Sequence, residues 1–196
     1  PGTIYWHESG AAPPTVSSVT STTANGSYNA DDVIAITITF SEAVTVSGTP
    51  NLSLAGATEA VANYASGSGS TTLTFNYTVI SSHNSSDLSY LNTSALQLNS
   101  GTINSTAFGG AATLTLPSPG ATNSLSANKA IVIDNTAPST PSSLAAAAGN
   151  TQVVLTWSAN SESDLASYKV YGGTSASPTT LLSTISAGTV TYTNTS

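Results

Sequence analysis

The sequence predicts an all-β protein made of two tandem β-sandwiches, the second of them incomplete within the chain. Apolar residues alternate with small or polar ones along 34–40 and again along 73–79, as in half-buried strands. Glycine, proline and asparagine separate further short alternations at regular spacing, and no segment has sustained helical periodicity. Because 39% of the residues are hydrophobic and only 6% are charged, the chain is expected to fold.

The first predicted strand places Ile34, Ile36 and Ile38 on one face, with threonines between them. A hairpin follows, in which a Ser/Gly loop over 66–70 joins a strand near 61–64 to the strand over 73–79. Five shorter alternations complete the first predicted sandwich: Val44/Val46, Leu52/Leu54, Leu96/Leu98, Leu114/Leu116 and Ile131/Ile133.

The segment from Asp134 to Pro138 interrupts this pattern, and Pro141 follows closely. These breaks predict a domain boundary, which divides the chain into an N-terminal extension (1–11), a first domain (12–134) and a partial second domain (135–196). The second domain has two expected core strands, one carrying Val153, Leu155 and Trp157 and the other carrying Tyr168 and Val170. Its roughly 60 residues are fewer than the roughly 100 of a closed sandwich.

Composition restricts the partners. The chain has two lysines, no arginine and a net charge of −7, so it lacks the basic surface that nucleic acid binding requires. No apolar run approaches the roughly 20 residues of a membrane span.

Serine, threonine and asparagine fill most polar positions, as expected of a secreted, extracellular or cell-surface protein. The uncharged outer faces leave strand edges poorly protected against pairing with other chains.

The first domain resembles the immunoglobulin-like repeat domains of bacterial surface and adhesin proteins. The resemblance implies a tandem load-bearing or spacer domain without catalytic residues. The segments that carry it are Pro14–Val16, Asp32–Val46, Gly48–Leu54, Tyr64–Gly69, Leu73–Phe75, Leu114–Pro117 and Asn128–Asp134.

From Pro138 onward the chain is similar to a fibronectin type III module. Pro141 and Leu144 match its first strand, the segments around Trp157 and Tyr168 its second and third, and 191–193 its fifth. The sixth and seventh strands of the family have no counterpart at this end of the chain.

The N-terminal extension provides a candidate for a missing strand, because the Pro-Gly-Thr turn and the aromatic run after it resemble the start of the sixth strand of such a module. This predicts that Ile4, Tyr5 and Trp6 of one copy add a strand to the open module of the next. The resulting polymer is head to tail. The alternative is that both ends belong to a longer multidomain chain.

Hard oxygen ligands suggest calcium as a cofactor, since related surface domains use carboxylates near interdomain linkers to bind it. The alternative is that these residues cap turns and keep the surface soluble. The candidate ligands are Asp31, Asp32, Glu42, Asp87, Asp134 and Asn135.

Seven Asn-x-Ser/Thr sequons are candidate glycosylation sites, although roughly five are expected by chance in so Ser/Thr-rich a chain. They are Asn25, Asn51, Asn76, Asn84, Asn92, Asn104 and Asn194.

The two histidines, His7 and His83, are too few for a convincing catalytic set. Ser82, Ser85 and Asp87 lie near His83 in sequence, but a catalytic triad is a geometry rather than a sequence cluster. We therefore expect a polar turn there and a protein that is not an enzyme.

The sequence thus favours a structural subunit or segment of an extracellular filament, sheath or adhesin stalk, assembled head to tail by strand complementation with copies of itself. The alternative is a non-catalytic spacer or glycan-binding accessory module of a secreted multidomain enzyme. Surface glycans would then be partners, and Tyr5, Trp6 and Tyr28 are the aromatic residues that could contact them.

Overall fold

A computed structural model describes residues 12–162 and 164–195. The chain divides after Asn135 into two compact units, unit 1 before this point and unit 2 from Thr136 onward. Both units are built from β-strands, and the one described helix is a single turn. The all-β prediction is confirmed, whereas the immunoglobulin-like identity of the two domains stays a prediction. The N-terminal extension, 1–11, lies outside the described residues.

In its described part, residues 12–135, unit 1 contains nine strands and one short helix. The strands are β1 (Val16–Ser21), β2 (Gly26–Tyr28), β3 (Val33–Ser47), β4 (Asn51–Ser53), β5 (Val61–Ser66), β6 (Ser70–Thr78), β7 (Leu96–Gln97), β8 (Thr102–Ser105) and β9 (Ile131–Ile133), and the helix is α1 (Leu125–Asn128). Six strands form a continuous sheet in the order β1-β3-β6-β5-β4-β7, and β8 pairs with the far end of β3.

Strand β3 is the centre of unit 1 because it pairs with three other strands. Its first half lies antiparallel to β1 and β6, with Ile36 opposite Phe75. The register then shifts between Thr39 and Val44, and the second half of β3 pairs with β8. The Val44/Val46 alternation therefore belongs to the same long strand and not to a separate one, since the shift bends the strand without ending it.

The core of unit 1 is formed by the inward face of this sheet. Ile34, Ile36 and Ile38 are fully buried, as are Leu73 and Phe75, which confirms the period-two prediction for both strands. The β5–β6 hairpin is also confirmed. Its loop requires Gly67, which has φ +105° and at which a Cβ atom would lie 2.2 Å from the Thr72 carbonyl oxygen.

Several features of unit 1 differ from the prediction. The segment with Leu114 and Leu116 forms no strand, although Leu116 is buried. Strands β1 and β8 and helix α1 were not predicted. Neither was strand β2, whose Gly-Ser-Tyr sequence has no apolar alternation. It pairs in parallel with β9, from Gly26 opposite Ile131 to Tyr28 opposite Ile133.

Unit 2 has five strands in two small sheets. They are β10 (Ala145–Gly149), β11 (Gln152–Thr156), β12 (Ser167–Gly172), β13 (Thr180–Ser186) and β14 (Thr191–Asn194). One sheet has the order β10-β11-β14, and the other is the β12–β13 hairpin. Leu144, expected on the first strand, lies one residue before β10 and is 68% exposed. Strand β13 was not predicted.

Candidate functional site

The candidate functional site is the open side of unit 2. Within the described residues, β12 pairs only with β13, so its other edge has no partner strand. Such an edge presents a row of backbone N–H and C=O groups that can pair with an added strand. Unit 2 therefore has a backbone template for one more strand beside β12.

A small hydrophobic cluster lies directly behind this edge. Trp157, Tyr168 and Val170 are 6–8% exposed, and Leu155 and Tyr192 pack against them. The Trp157 and Tyr168 rings meet edge to face, with centroids 5.3 Å apart and planes at 64°, a favourable aromatic geometry. The Tyr168 hydroxyl accepts a hydrogen bond from the Asn160 backbone N–H at 3.0 Å, which fixes the ring.

This cluster is less completely covered than the core of unit 1. Val153, expected inside with Leu155 and Trp157, is 39% exposed. Tyr171 is 45% exposed, and Leu181 and Leu182 of β13 are 50% and 41% exposed. Unit 2 thus leaves several large apolar side chains partly in water.

A cleft of ≈ 230 Å³ opens between the cluster and the β12 edge. Its walls include Leu144, Leu155, Trp157, Tyr168 and Val170. The indole Nε1 of Trp157 is buried and has no hydrogen-bond partner among the described residues. A buried N–H without an acceptor costs about 1–3 kcal/mol. The cleft therefore presents apolar surface, and one of its wall residues, Trp157, carries a buried donor without a partner among the described residues.

The alternation of Val153, Leu155 and Trp157 predicts Trp157 in a strand core. It gives no sign of the unpaired indole N–H, because hydrophobic alternation does not say which polar group lacks a partner. The predicted polymerisation residues Ile4, Tyr5 and Trp6 lie outside the described residues.

The six candidate calcium ligands do not form one cluster. No group of three or more His, Cys, Asp or Glu side chains arranged for a metal occurs in residues 12–162 and 164–195. Glu42 lies in the irregular middle of β3, and one of its carboxylate oxygens is buried without a partner. Asp87 is near the Ile131 backbone, and burial raises the pKa of its carboxyl.

The other four candidate ligands lie near the start of β3 and the end of β9. Asp32 accepts a hydrogen bond from the Asn29 backbone N–H at 2.9 Å, as a turn cap does. Asp31 has φ +72° and donates its N–H to the Val79 carbonyl oxygen, while Asp134 donates its N–H to Tyr28.

Asn135 has a structural role. Its side-chain oxygen accepts the Ala30 N–H at 2.6 Å, and its Nδ2 donates to the carbonyl oxygens of Ile80 and His83 at 3.2 Å and 2.6 Å. The Asn135 amide group thus links three backbone segments and is already engaged within the protein.

The expected turn is present, with Ser81 and Ser82 exposed and the His83 N–H donating to the Ile80 carbonyl oxygen, but the His83 side chain is fully buried. Its Nδ1 is 2.7 Å from the Tyr77 hydroxyl, and its Nε2 is 2.8 Å from the Ala55 carbonyl oxygen. Burial lowers the pKa of the imidazole, and the Ala55 hydrogen bond partly opposes this shift. Both ring nitrogens are therefore occupied by core groups and not by Ser82, Ser85 or Asp87.

The sequon asparagines fall into two groups. Asn25, Asn84 and Asn92 lie in exposed turns, where each side-chain oxygen accepts a backbone N–H. Those in strands are Asn51 (β4), Asn76 (β6), Asn104 (β8) and Asn194 (β14). Cross-strand pairing aligns Asn51, Asn63 and Asn76 in one row on the outer face of the main sheet.

Within the described ranges, no helix is long and apolar enough to cross a membrane. No protein-family model matches the chain, and no curated protein and no solved structure matches it either.

Proposed function

We propose that the chain is a structural subunit or segment of an extracellular filament, sheath or adhesin stalk, in which copies join head to tail by strand complementation. The observation that carries the proposal is the edge of β12 that has no partner strand within the described residues, beside an apolar cleft whose walls include Trp157 and Tyr168. A strand added there supplies backbone hydrogen bonds to β12 and covers the apolar walls of the cleft.

The segment 1–11 of a second copy is the proposed donor. Its sequence alternates between two apolar residues, Ile4 and Trp6, and the flanking Thr3, Tyr5 and His7. In a strand, Ile4 and Trp6 share one face, which in this proposal turns toward the cleft. Tyr5 then lies on the outer face with Lys169, the exposed residue between Tyr168 and Val170.

This mode of addition generates a polymer. The donor lies at the start of one copy and the acceptor in unit 2 of the next, so the contact is heterologous and does not close on itself. Each copy then offers one donor and one acceptor, and copies add end to end into a fibre.

The experiment is a titration with tryptophan fluorescence. The chain has two tryptophans, Trp6 and Trp157, so deletion of residues 1–10 leaves Trp157 as the only tryptophan. A peptide with the sequence of residues 1–10 and the change Trp6→Phe is added to this truncated chain. We expect saturable 1:1 binding with a change in Trp157 emission, because the peptide packs against the cleft that Trp157 lines.

The matched control is the same peptide with Ile4→Ser and Trp6→Ser, which keeps the length and removes the apolar face. It should bind at least tenfold more weakly, since burial of two large side chains contributes about 3 kcal/mol or more. The truncated chain alone should remain monomeric while the intact chain polymerises. Polymerisation of the truncated chain, or equal binding of both peptides, would contradict the proposal.

The alternative of a glycan-binding accessory module has less support. Of its three candidate aromatic residues, Tyr28 is only partly exposed, packs against the core of unit 1 and donates its hydroxyl to the Ala24 carbonyl oxygen. Tyr5 and Trp6 lie outside the described residues. A role as a spacer is compatible with the same fold, and failure of strand complementation would favour it.

A further inference from the structure

Asn25 and Gly26 form the only Asn-Gly pair in the chain. Asparagine is one of the chemically labile residues of proteins. A following glycine increases this lability, because glycine has no Cβ atom to hinder the approach of its backbone nitrogen to the asparagine side chain. Both residues are exposed, Asn25 just before β2 and Gly26 as the first residue of β2. The pair is therefore the position at which the chain is expected to deamidate first.

Deamidation at this pair is an intramolecular reaction followed by hydrolysis. The backbone nitrogen of Gly26 loses its proton to solvent and attacks the side-chain carbon Cγ of Asn25. The new C–N bond closes a succinimide ring, the bond between Cγ and Nδ2 breaks, and ammonia leaves with a proton taken from solvent. One water molecule then opens the ring at either carbonyl. The product is aspartate or isoaspartate, in which the backbone runs through the former side-chain carbon.

Both reacting groups of the pair are held by one residue of the neighbouring segment. The Ala130 N–H donates to Asn25 Oδ1 at 3.1 Å, and the Gly26 N–H donates to the Ala130 carbonyl oxygen, also at 3.1 Å. The first hydrogen bond fixes the side chain that must be attacked. The second occupies the N–H that must lose its proton. Succinimide closure therefore requires both hydrogen bonds to open.

The two sides of this contact differ in how firmly they are held. Ala130 directly precedes β9, in which Ile131 and Ile133 are buried, and Ile133 exchanges two backbone hydrogen bonds with Ser85, each 2.8 Å long. Strand β2 has three residues, two of them exposed, and within the described residues it pairs only with β9. Segments with few buried contacts open at low free energy. The motion that frees the pair is therefore the release of β2 from β9.

Tyr28 is the side-chain anchor of β2. Its ring packs against the core of unit 1, and its hydroxyl donates to the Ala24 carbonyl oxygen at 2.9 Å. Ala24 directly precedes Asn25, so this hydrogen bond braces the segment on the other side of the pair. The packing of Tyr28 thus controls how often Asn25 and Gly26 are released.

We propose that Asn25 is a modification site of unit 1, that the β2–β9 pairing protects it from deamidation, and that prolonged opening of β2 converts it irreversibly. Isoaspartate adds one carbon atom to the backbone directly before β2, so the hydrogen-bonding groups at positions 25 and 26 no longer align with Ala130. A modified unit 1 cannot close this contact again. The inference goes beyond the proposed assembly, because the modification depends on unit 1 alone.

The test measures modification of Asn25 by peptide-mapping mass spectrometry while the full chain is incubated in mildly alkaline buffer. The reference is a free peptide with the sequence of residues 20–31, in which nothing protects the pair. We expect the folded chain to be modified at least about tenfold more slowly than the peptide, since two hydrogen bonds must open first. In concentrated urea the full chain should reach the rate of the peptide.

Variants at two positions isolate the gate and the reacting group. Tyr28→Ala should increase the modification rate of the folded chain several-fold, because β2 loses its anchor. Tyr28→Phe is the matched control, since it keeps the packed ring and loses only the hydrogen bond to Ala24, and its rate should stay closer to that of the parent. Asn25→Gln has a longer side chain that closes a ring less readily, and it should show no modification at position 25 over the same period.

A second measurement determines whether the modification prevents closure of the β2–β9 contact. Chain that has been incubated in urea and returned to buffer is separated by chromatography into unmodified, aspartate and isoaspartate forms. The isoaspartate form should unfold at a lower urea concentration than the unmodified form. Asn25→Asp keeps an acceptor oxygen for the Ala130 N–H and should unfold close to the parental urea concentration.

The proposal is overturned if the folded chain is modified at Asn25 as fast as the free peptide, or if the isoaspartate form is as stable as the unmodified chain. Modification of folded Tyr28→Ala at the parental rate would also contradict it. If Tyr28→Ala does not fold, the comparison of the folded parent with the peptide still decides. None of these results affects strand addition at β12, which is measured by peptide binding to unit 2.

Discussion

The Tyr77 hydroxyl and the His83 imidazole form a buried pair in which the oxygen lies 2.7 Å from Nδ1. The rings also pack edge to face, with centroids 5.5 Å apart. Burial raises the pKa of Tyr77 and lowers the pKa of His83. Both shifts favour the neutral forms of the two side chains, so this part of the unit 1 core depends on an uncharged histidine.

Unit 1 should lose stability in mild acid because of His83. The pKa of His83 is below its ordinary value of 6.5 in the folded protein, so the unfolded chain takes up a proton first as the pH falls. The stabilising contribution is complete above about pH 6.5 and declines below it. Urea unfolding between pH 7.5 and pH 5, in a His7→Gln background, should show this decline.

The matched variant is His83→Gln, which does not titrate. It should be less stable than its parent at pH 7.5, because the Tyr77 hydroxyl and the Ala55 carbonyl oxygen lose their partner. Its stability should change less over the same pH range. Equal pH slopes for the two proteins would show that His83 does not titrate with folding.

Gly56→Ala should destabilise unit 1 more than Gly69→Ala. Both glycines have positive φ, +100° and +86°, so both substitutions introduce backbone strain. A Cβ atom at position 56 would lie 2.7 Å from His83 Nε2, whereas no heavy atom lies within 4 Å at position 69. We expect Gly56→Ala to lower the free energy of unfolding by roughly 1–3 kcal/mol more than Gly69→Ala does, as measured by urea unfolding. Equal losses would contradict the close contact with His83.

The sequence predicts the core strands from their period-two alternation, but it does not predict the burial of His83. Each inward residue of β3 and β6 must be apolar because it packs in the core. The alternation in the sequence therefore predicts which side chains are buried. His83 follows two serines in a segment that resembles an exposed turn. Its burial depends on two hydrogen-bond partners, the Tyr77 hydroxyl and the Ala55 carbonyl oxygen, that only the folded chain brings to it.

Hydrogen exchange should differ strongly between the two units. Amides of β3 and β6 lie in the middle of the main sheet over a fully buried core, whereas β10 consists entirely of exposed residues. Regions with few buried contacts open at lower free energy. In the truncated chain without residues 1–10, exchange mass spectrometry should show slow exchange in β3 and β6 and faster exchange throughout unit 2. Equal protection of both units would mean that unit 2 needs no added strand.

Asp32 should stabilise unit 1 as a turn cap, independently of calcium. Asp32→Ala loses the hydrogen bond from the Asn29 N–H, which should lower the free energy of unfolding by about 1–2 kcal/mol. Asp32→Asn keeps an acceptor oxygen and should lower it less. The difference between the melting temperature in chelator and that in millimolar calcium should be the same for the parent and the two variants. A calcium-dependent rise in the parent that both variants lose would instead support the calcium hypothesis.

The open side of unit 2 could be predicted only in part. The apolar alternation predicts Trp157 and Tyr168 as core residues, and their rings do pack together. The unpaired edge of β12 and the unsatisfied indole N–H depend on how five strands divide between two sheets. Sequence alternation carries no information about that division.

Disulfide trapping between copies tests the central proposal most directly, since the chain contains no cysteine of its own. One chain carries Lys169→Cys on the exposed side of β12, and a second carries a single cysteine at one of positions 3 to 7. Paired strands bring opposite residues within disulfide range and alternate their side chains. Strand addition with Ile4 and Trp6 facing the cleft predicts trapping at Thr3, Tyr5 or His7 and little at positions 4 and 6. Uniform trapping, or none at any position, would contradict it.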